Sequence, residues 1–132
     1  MNDDAQHARG WLLKAESDLS TAQRLLEGEG PYDTACFHAQ QAVEKLLKGF
    51  LASRGRPIPY VHNVEDLWGL CSDLEPHLRV RDLPLAELTP YAVELRYDFD
   101  FWPEREVAEA AVETALQVRA AILGHVPREA RP

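Results

Sequence analysis

Phe37-His38-Ala39-Gln40-Gln41-Ala42-Val43-Glu44-Lys45-Leu46-Leu47-Lys48-Gly49-Phe50-Leu51 sets the fold class, because its apolar residues return at helical rather than strand spacing. Projected down a helix, Gly49, Ala42, Ala35, Leu46, Ala39, Phe50, Val43, Cys36, Leu47 and Leu51 fill one broad arc, the mark of a core face. The opposite arc holds His38, Lys45, Gln41 and Lys48, with Glu44 and Gln40 on its edge and Phe37 intruding. Gln40 falls between Leu47 and Leu51 on this projection, so it is expected to be partly buried and to need hydrogen-bond partners.

Upstream, Asp3 or Asp4 is expected to cap a first helix whose Ala8, Trp11, Leu12, Ala15, Leu19, Ala22, Leu25 and Leu26 share one side. Gly28-Glu29-Gly30-Pro31 ends it, and a link that short makes the two helices antiparallel neighbours. Downstream, Gly55-Arg56-Pro57-Ile58-Pro59 cannot continue a helix, because proline lacks a donor and extends the residue before it. Asn63 then reads as the N-cap of a third helix through Leu67, Trp68, Cys71 and Leu74. Segment 77–88 is mixed, with Pro84 breaking it, and is expected to hold no more than a short helical turn. Thr89-Pro90 has the pattern of a cap followed by proline at the first helical position, which predicts a short fourth helix to about Tyr97. Pro103 repeats the signal for a fifth, with Glu104 and Glu106 favoured at its positive end. No segment alternates like a hairpin and no repeat is visible. The expectation is one all-α domain over residues 1–132, an up-and-down bundle of about five helices near 4–27, 33–54, 63–74, 90–97 and 103–123.

At 132 residues the chain suits a single core, and no apolar run approaches the roughly 20 residues that span a bilayer. The acidic N-terminus, Met-Asn-Asp-Asp, is unlike a secretion signal, so the expected location is the cytoplasm and no membrane partner is expected. Cys36 and Cys71 lack C-x-x-C spacing and read as buried thiols. A net charge of −8 opposes tight non-specific binding to nucleic acid, which leaves a weak case for RNA.

These residues resemble the HEPN domains, in the branch described as nucleotide-binding. The resemblance covers most of the chain. It rests on Trp11, Lys14-Ala15 and Asp18-Leu19, on Tyr32-Asp33 with the run Ala35 to Lys45, on His62-Asn63-Val64-Glu65-Asp66-Leu67, and on Arg96-Tyr97-Asp98. It implies a bundle of about five helices that pairs as a homodimer, often beside a minimal nucleotidyltransferase in a two-protein module of the toxin–antitoxin kind. Many members of the family are metal-independent ribonucleases with an Arg-x4-6-His motif, the imidazole moving protons and the guanidinium holding phosphate. Here the matching arginine is Arg96, but the positions where histidine could fall are Phe101, Trp102 and Pro103. Arg56 to His62 and Arg119 to His125 carry the spacing elsewhere, at a rate chance supplies.

Each remaining candidate has a functional and a plain reading. His38, Gln41, Lys45 and Lys48 could hold an anion or nucleotide, or form a solvated helix face. Phe37, Gln40, Glu44, Lys48 and Leu51 form a mixed stripe that suits an interface or the edge of the core. Asp98 and Asp100 could suggest a metal, but they read better as a solvated junction in which one helps cap the fifth helix, and no metal or cofactor is expected. His62 reads as bonding to a helix end, or as a base reaching toward Arg96. Arg96 reads as meeting the carbonyls that end a short helix, or acidic partners nearby. Trp68 and Trp102 read as packing residues, since neither lies in a basic stretch. The leading expectation is a non-catalytic dimer that binds a nucleotidyltransferase partner and a nucleotide through the second-helix stripe and the Arg96–Asp100 junction. The alternatives are a ribonuclease using Arg96 with His62, and a structural homodimer without ligand.

Overall fold

In a computed structural model, which describes residues 2–78 and 83–132, the periodic segments form helices and no strand occurs among the described residues. The elements are α1 (Asp3–Glu27), α2 (Tyr32–Ser53), α3 (Val64–Leu74), α4 (Leu85–Leu88) and α5 (Arg105–Leu123), with 3-10 turns at Thr89–Tyr91, Leu95–Tyr97 and Arg128–Ala130. The fold is an all-α bundle. Among the described residues no helix is long and apolar enough to cross a membrane.

α1 is capped by Asn2 rather than by Asp3 or Asp4: Asn2 Oδ1 accepts from the Ala5 N–H at 2.7 Å, and the two aspartates fall in the first turn. Asn63 caps α3 as its sequence context predicts, accepting from the Asp66 N–H at 3.1 Å. Within 77–88, Leu85–Leu88 is the short helical turn, while 79–82 lie outside the described residues.

The α-helix expected over 90–97 is replaced by two single 3-10 turns, Thr89–Tyr91 and Leu95–Tyr97. Thr89 does not cap its own segment. Its hydroxyl is engaged with α3, accepting from the Val64 N–H at 3.4 Å and donating to Glu65 at 3.0 Å. Pro90 adds no donor, so the chain closes only i to i+3 bonds, Ala92 N to Thr89 O and Asp98 N to Leu95 O, both at 3.3 Å. α5 begins at Arg105 with Glu104 as cap, leaving Pro103 just outside. Neither Asp98 nor Asp100 caps it. Asp98 Oδ1 instead accepts from the Asp100 N–H at 2.9 Å, which ties the junction to itself.

α1 lies antiparallel along α2, and the two meet tightly at Gly49, where a Cβ would stand 2.8 Å from Leu12 Cδ2. α5 closes the other flank of α2 with Ala108, Ala111 and Ala115, small residues that let the backbones approach. Phe50, Leu12, Leu46, Leu47 and Ile122 fill the space between these helices and are less than 2% exposed. Leu67 and Cys71 bring α3 onto the far half of α2, where the Cys71 thiol donates to the Leu47 carbonyl at 3.5 Å. Arg119 of α5 pairs with Glu16 of α1, and the last 3-10 turn packs against α1 through the buried Ala130.

Candidate functional site

Two polar systems run along α2, and their environments differ. The first is interior. Gln40 is fully buried, Glu44 is 4% exposed and Lys48 is 6% exposed. Lys48 Nζ lies 3.1 Å from Glu44 Oε2, while Glu44 Oε1 meets His62 Nδ1 at 3.1 Å and the Gln40 amide at 3.2 Å. Gln40 also donates to the His62 carbonyl at 3.3 Å and its own oxygen accepts from Gln41 at 2.7 Å. Lys48 Nζ sits 5.6 Å from the centre of the Trp11 ring, which roofs this side. Gln40 has the partners its position demanded. Gln40, Glu44, Lys48 and Leu51 are buried within the chain, while Phe37 of the same stripe is half-buried and lines the cavity of the second system.

The second system opens to solvent beside the first turns of α2. Asp18 of α1 is 8% exposed and is shared between His38 Nδ1 at 2.8 Å and Lys45 Nζ at 2.5 Å. A carboxylate only accepts, so Nδ1 donates to Asp18, and His38 Nε2 makes no hydrogen bond among the described residues. His38 lines a cavity of about 230 Å³ together with Asp33, Thr34, Phe37, Tyr91, Arg96 and Phe101. The Arg96 guanidinium stacks 4.2 Å above the Phe37 ring centre and lies 5.9 Å from that of Tyr97, and it has no carboxylate partner among the described residues. Phe37, which intrudes on the polar arc of α2, is therefore the platform for Arg96. Tyr91 and Phe101 stack on each other with centres 5.7 Å apart and close another wall.

Cys36 lies buried behind this wall. Burial, with Asp33 adding to it, pushes its thiol up to about 11, and burial likewise holds the Tyr91 hydroxyl up at about 12. Neither offers an anionic nucleophile near neutral pH.

His62 does not line this cavity; its ring faces Glu44. Neither chance arginine–histidine spacing forms a site. Arg56 lines a separate apolar groove with Leu51, Leu70 and Leu74, and Arg119 is paired with Glu16. Among the described residues no group of three or more His, Cys, Asp or Glu side chains converges as a metal site would. Next to the Arg96 cavity the junction exposes Tyr97 (69%), Phe99 (89%) and Trp102 (72%), three aromatics that burial in the core does not explain. Asp18, Asp33, Thr34, Tyr91 and Phe101 were not singled out as site residues from sequence. The available signal was Asp18, a carboxylate bordering the apolar arc of α1 opposite two basic groups of an antiparallel neighbour.

A family model described as HEPN domain matches residues 8–125. The crystal structure of TT1696 from Thermus thermophilus is similar at 34% identity over 90% of this chain and 98% of that one, with a TM-score of 0.73. That of ST0689, an archaeal HEPN homologue, is similar at 21% identity over 91% and 98% of the two chains, with a TM-score of 0.66. Among curated proteins none matches the chain.

Proposed function

The chain belongs to the HEPN domain family, and from that premise we propose that it is a non-catalytic dimeric member holding a nucleotide in the Arg96 cavity. It works in the cytoplasm beside a minimal nucleotidyltransferase, in a two-protein module of the toxin–antitoxin kind. The observation that carries the ligand assignment is Arg96 itself: a guanidinium without a carboxylate partner among the described residues, set 4.2 Å over the Phe37 ring centre beside an aromatic cavity. Such a group matches a phosphate in geometry and charge, while Tyr91 and Phe101 supply apolar surface for a base. Tyr97, Phe99 and Trp102 give the second copy or the nucleotidyltransferase a surface rich in the side chains that interfaces favour.

Titration calorimetry with the four ribonucleoside monophosphates tests the ligand. Wild-type protein binds at least one of them, and Arg96→Ala weakens that binding about tenfold or more, the loss expected when a charge-assisted phosphate contact goes. Absence of heat with all four would overturn the assignment. Copurification of a nucleotidyltransferase encoded next to this chain, lost in Phe99→Glu/Trp102→Glu, tests the partner.

A second reading has one observation in its favour. His38, with Nδ1 held by Asp18 and Nε2 unengaged, lines the same cavity as Arg96, so an imidazole and a guanidinium meet there despite the absent motif histidine. Cleavage of single-stranded RNA without metal, abolished by both Arg96→Ala and His38→Ala, would replace the binding reading by a ribonuclease with His38, not His62, as its base.

A further inference from the structure

The Arg96 cavity contains a second unpartnered charge. Asp33 lines the same wall system, yet among the described residues its carboxylate makes neither an ion pair nor a hydrogen bond, and it does not pair with Arg96. It is half-buried. A carboxylate and a guanidinium left apart across one cavity await a ligand that is anionic at one end and donates hydrogen bonds at the other.

We propose that the cavity selects a guanine mononucleotide, its phosphate on Arg96 and the Watson–Crick edge of its base on Asp33. This rests on the nucleotide reading above and names its base. Guanine alone among the common bases carries two adjacent donors, N1–H and the N2 amine, on that edge, and a carboxylate accepts both in a paired, charge-assisted geometry. Adenine and cytosine each turn a lone pair toward Asp33 beside their single amine. Uracil flanks its one N–H with two carbonyls. Repulsion therefore accompanies the lost bond for all three. Phe37, Tyr91 and Phe101 give the base apolar walls whichever base it is, so they supply affinity while Asp33 supplies the choice. A volume of about 230 Å³ is below the ~300–1,000 Å³ of clefts that enclose drug-sized ligands, so the cavity takes part of a mononucleotide and leaves the rest in solvent. Asp98 and Asp100 lie exposed on the adjoining junction, where they oppose a polyanion. That repulsion favours one nucleotide over a length of RNA.

Calorimetry on the full chain with GMP, IMP, AMP, CMP and UMP tests the inference. GMP is expected to bind about tenfold or more tighter than AMP, CMP and UMP, the discrimination that a bidentate base contact gives. IMP lacks only the N2 amine and is expected to fall between, a comparison that alters no residue of the protein. Asp33→Asn is expected to remove the preference for GMP over AMP, weakening GMP and tightening AMP, because the amide can donate to adenine N1 and accept from its amine. Equal binding of all five, still weakened by Arg96→Ala, would overturn the guanine assignment and leave the nucleotide reading standing. No binding of any would overturn both.

Discussion

Glu44 keeps a carboxylate inside the bundle because Lys48, His62 and Gln40 together satisfy its oxygens. Removing it leaves the Lys48 ammonium interior without a counterion. Glu44→Ala should therefore destabilise the protein by about 3–5 kcal/mol, read from the shift of a urea denaturation curve, whereas Glu44→Leu with Lys48→Met should recover most of that loss. A double variant as unstable as the single one would contradict this account. The same residues mark where sequence reasoning was adequate and where it stopped. Gln40 was legible as a buried polar group from its place between Leu47 and Leu51. Lys48 was not, because a helical projection ranks residues by type, and its burial depends on Trp11, remote in sequence.

Between elements, the α1–α2 contact depends on a missing side chain. A Cβ at Gly49 would meet Leu12 Cδ2 at 2.8 Å and Leu12 Cγ at 3.0 Å, both in a filled core. Gly49→Ala should cost about 1–3 kcal/mol although alanine is the better helix former, and Leu12→Ala introduced with it should couple favourably in a double-mutant cycle. Additive losses in that cycle would mean the two positions do not touch. α1, α2, α3 and α5 were legible because each combines a sustained apolar period with a cap or breaker at its ends. The expected fourth helix failed for a local reason: the Thr89 hydroxyl was free to cap its own chain in the sequence, but in the fold it serves the start of α3. Nothing local reveals that choice.

For the molecule as a whole, both thiols lie in the core, and burial raises Cys36 to about 11 and Cys71 to about 12 from an ordinary 9.0. The unfolded chain releases these protons first, so it binds fewer protons than the folded one above pH 9. The thiols' contribution to stability is thus complete below pH 9 and is lost as pH climbs toward 11–12. Urea denaturation should show stability about 3 kcal/mol lower at pH 10 than at pH 8 on this account, with about half that fall in Cys71→Ala. An unchanged slope in that variant would place the titration elsewhere. The bundle was readable from the sequence at this scale, since α1, α2, α3 and α5 each declare an apolar side. The cavity was not, since it joins Asp33–His38 to Tyr91–Phe101 and orients His38 through a carboxylate of α1.

From the proline-rich crossover, the largely exposed His62 gives its ring to Glu44 and its carbonyl to Gln40, both buried on α2. A segment without regular structure is ordinarily the first to detach in thermal fluctuations. Here detachment would cost the buried Glu44 and Gln40 their bonds to His62. The crossover is fastened from within, and its opening is expected to accompany that of the helices it joins rather than precede it.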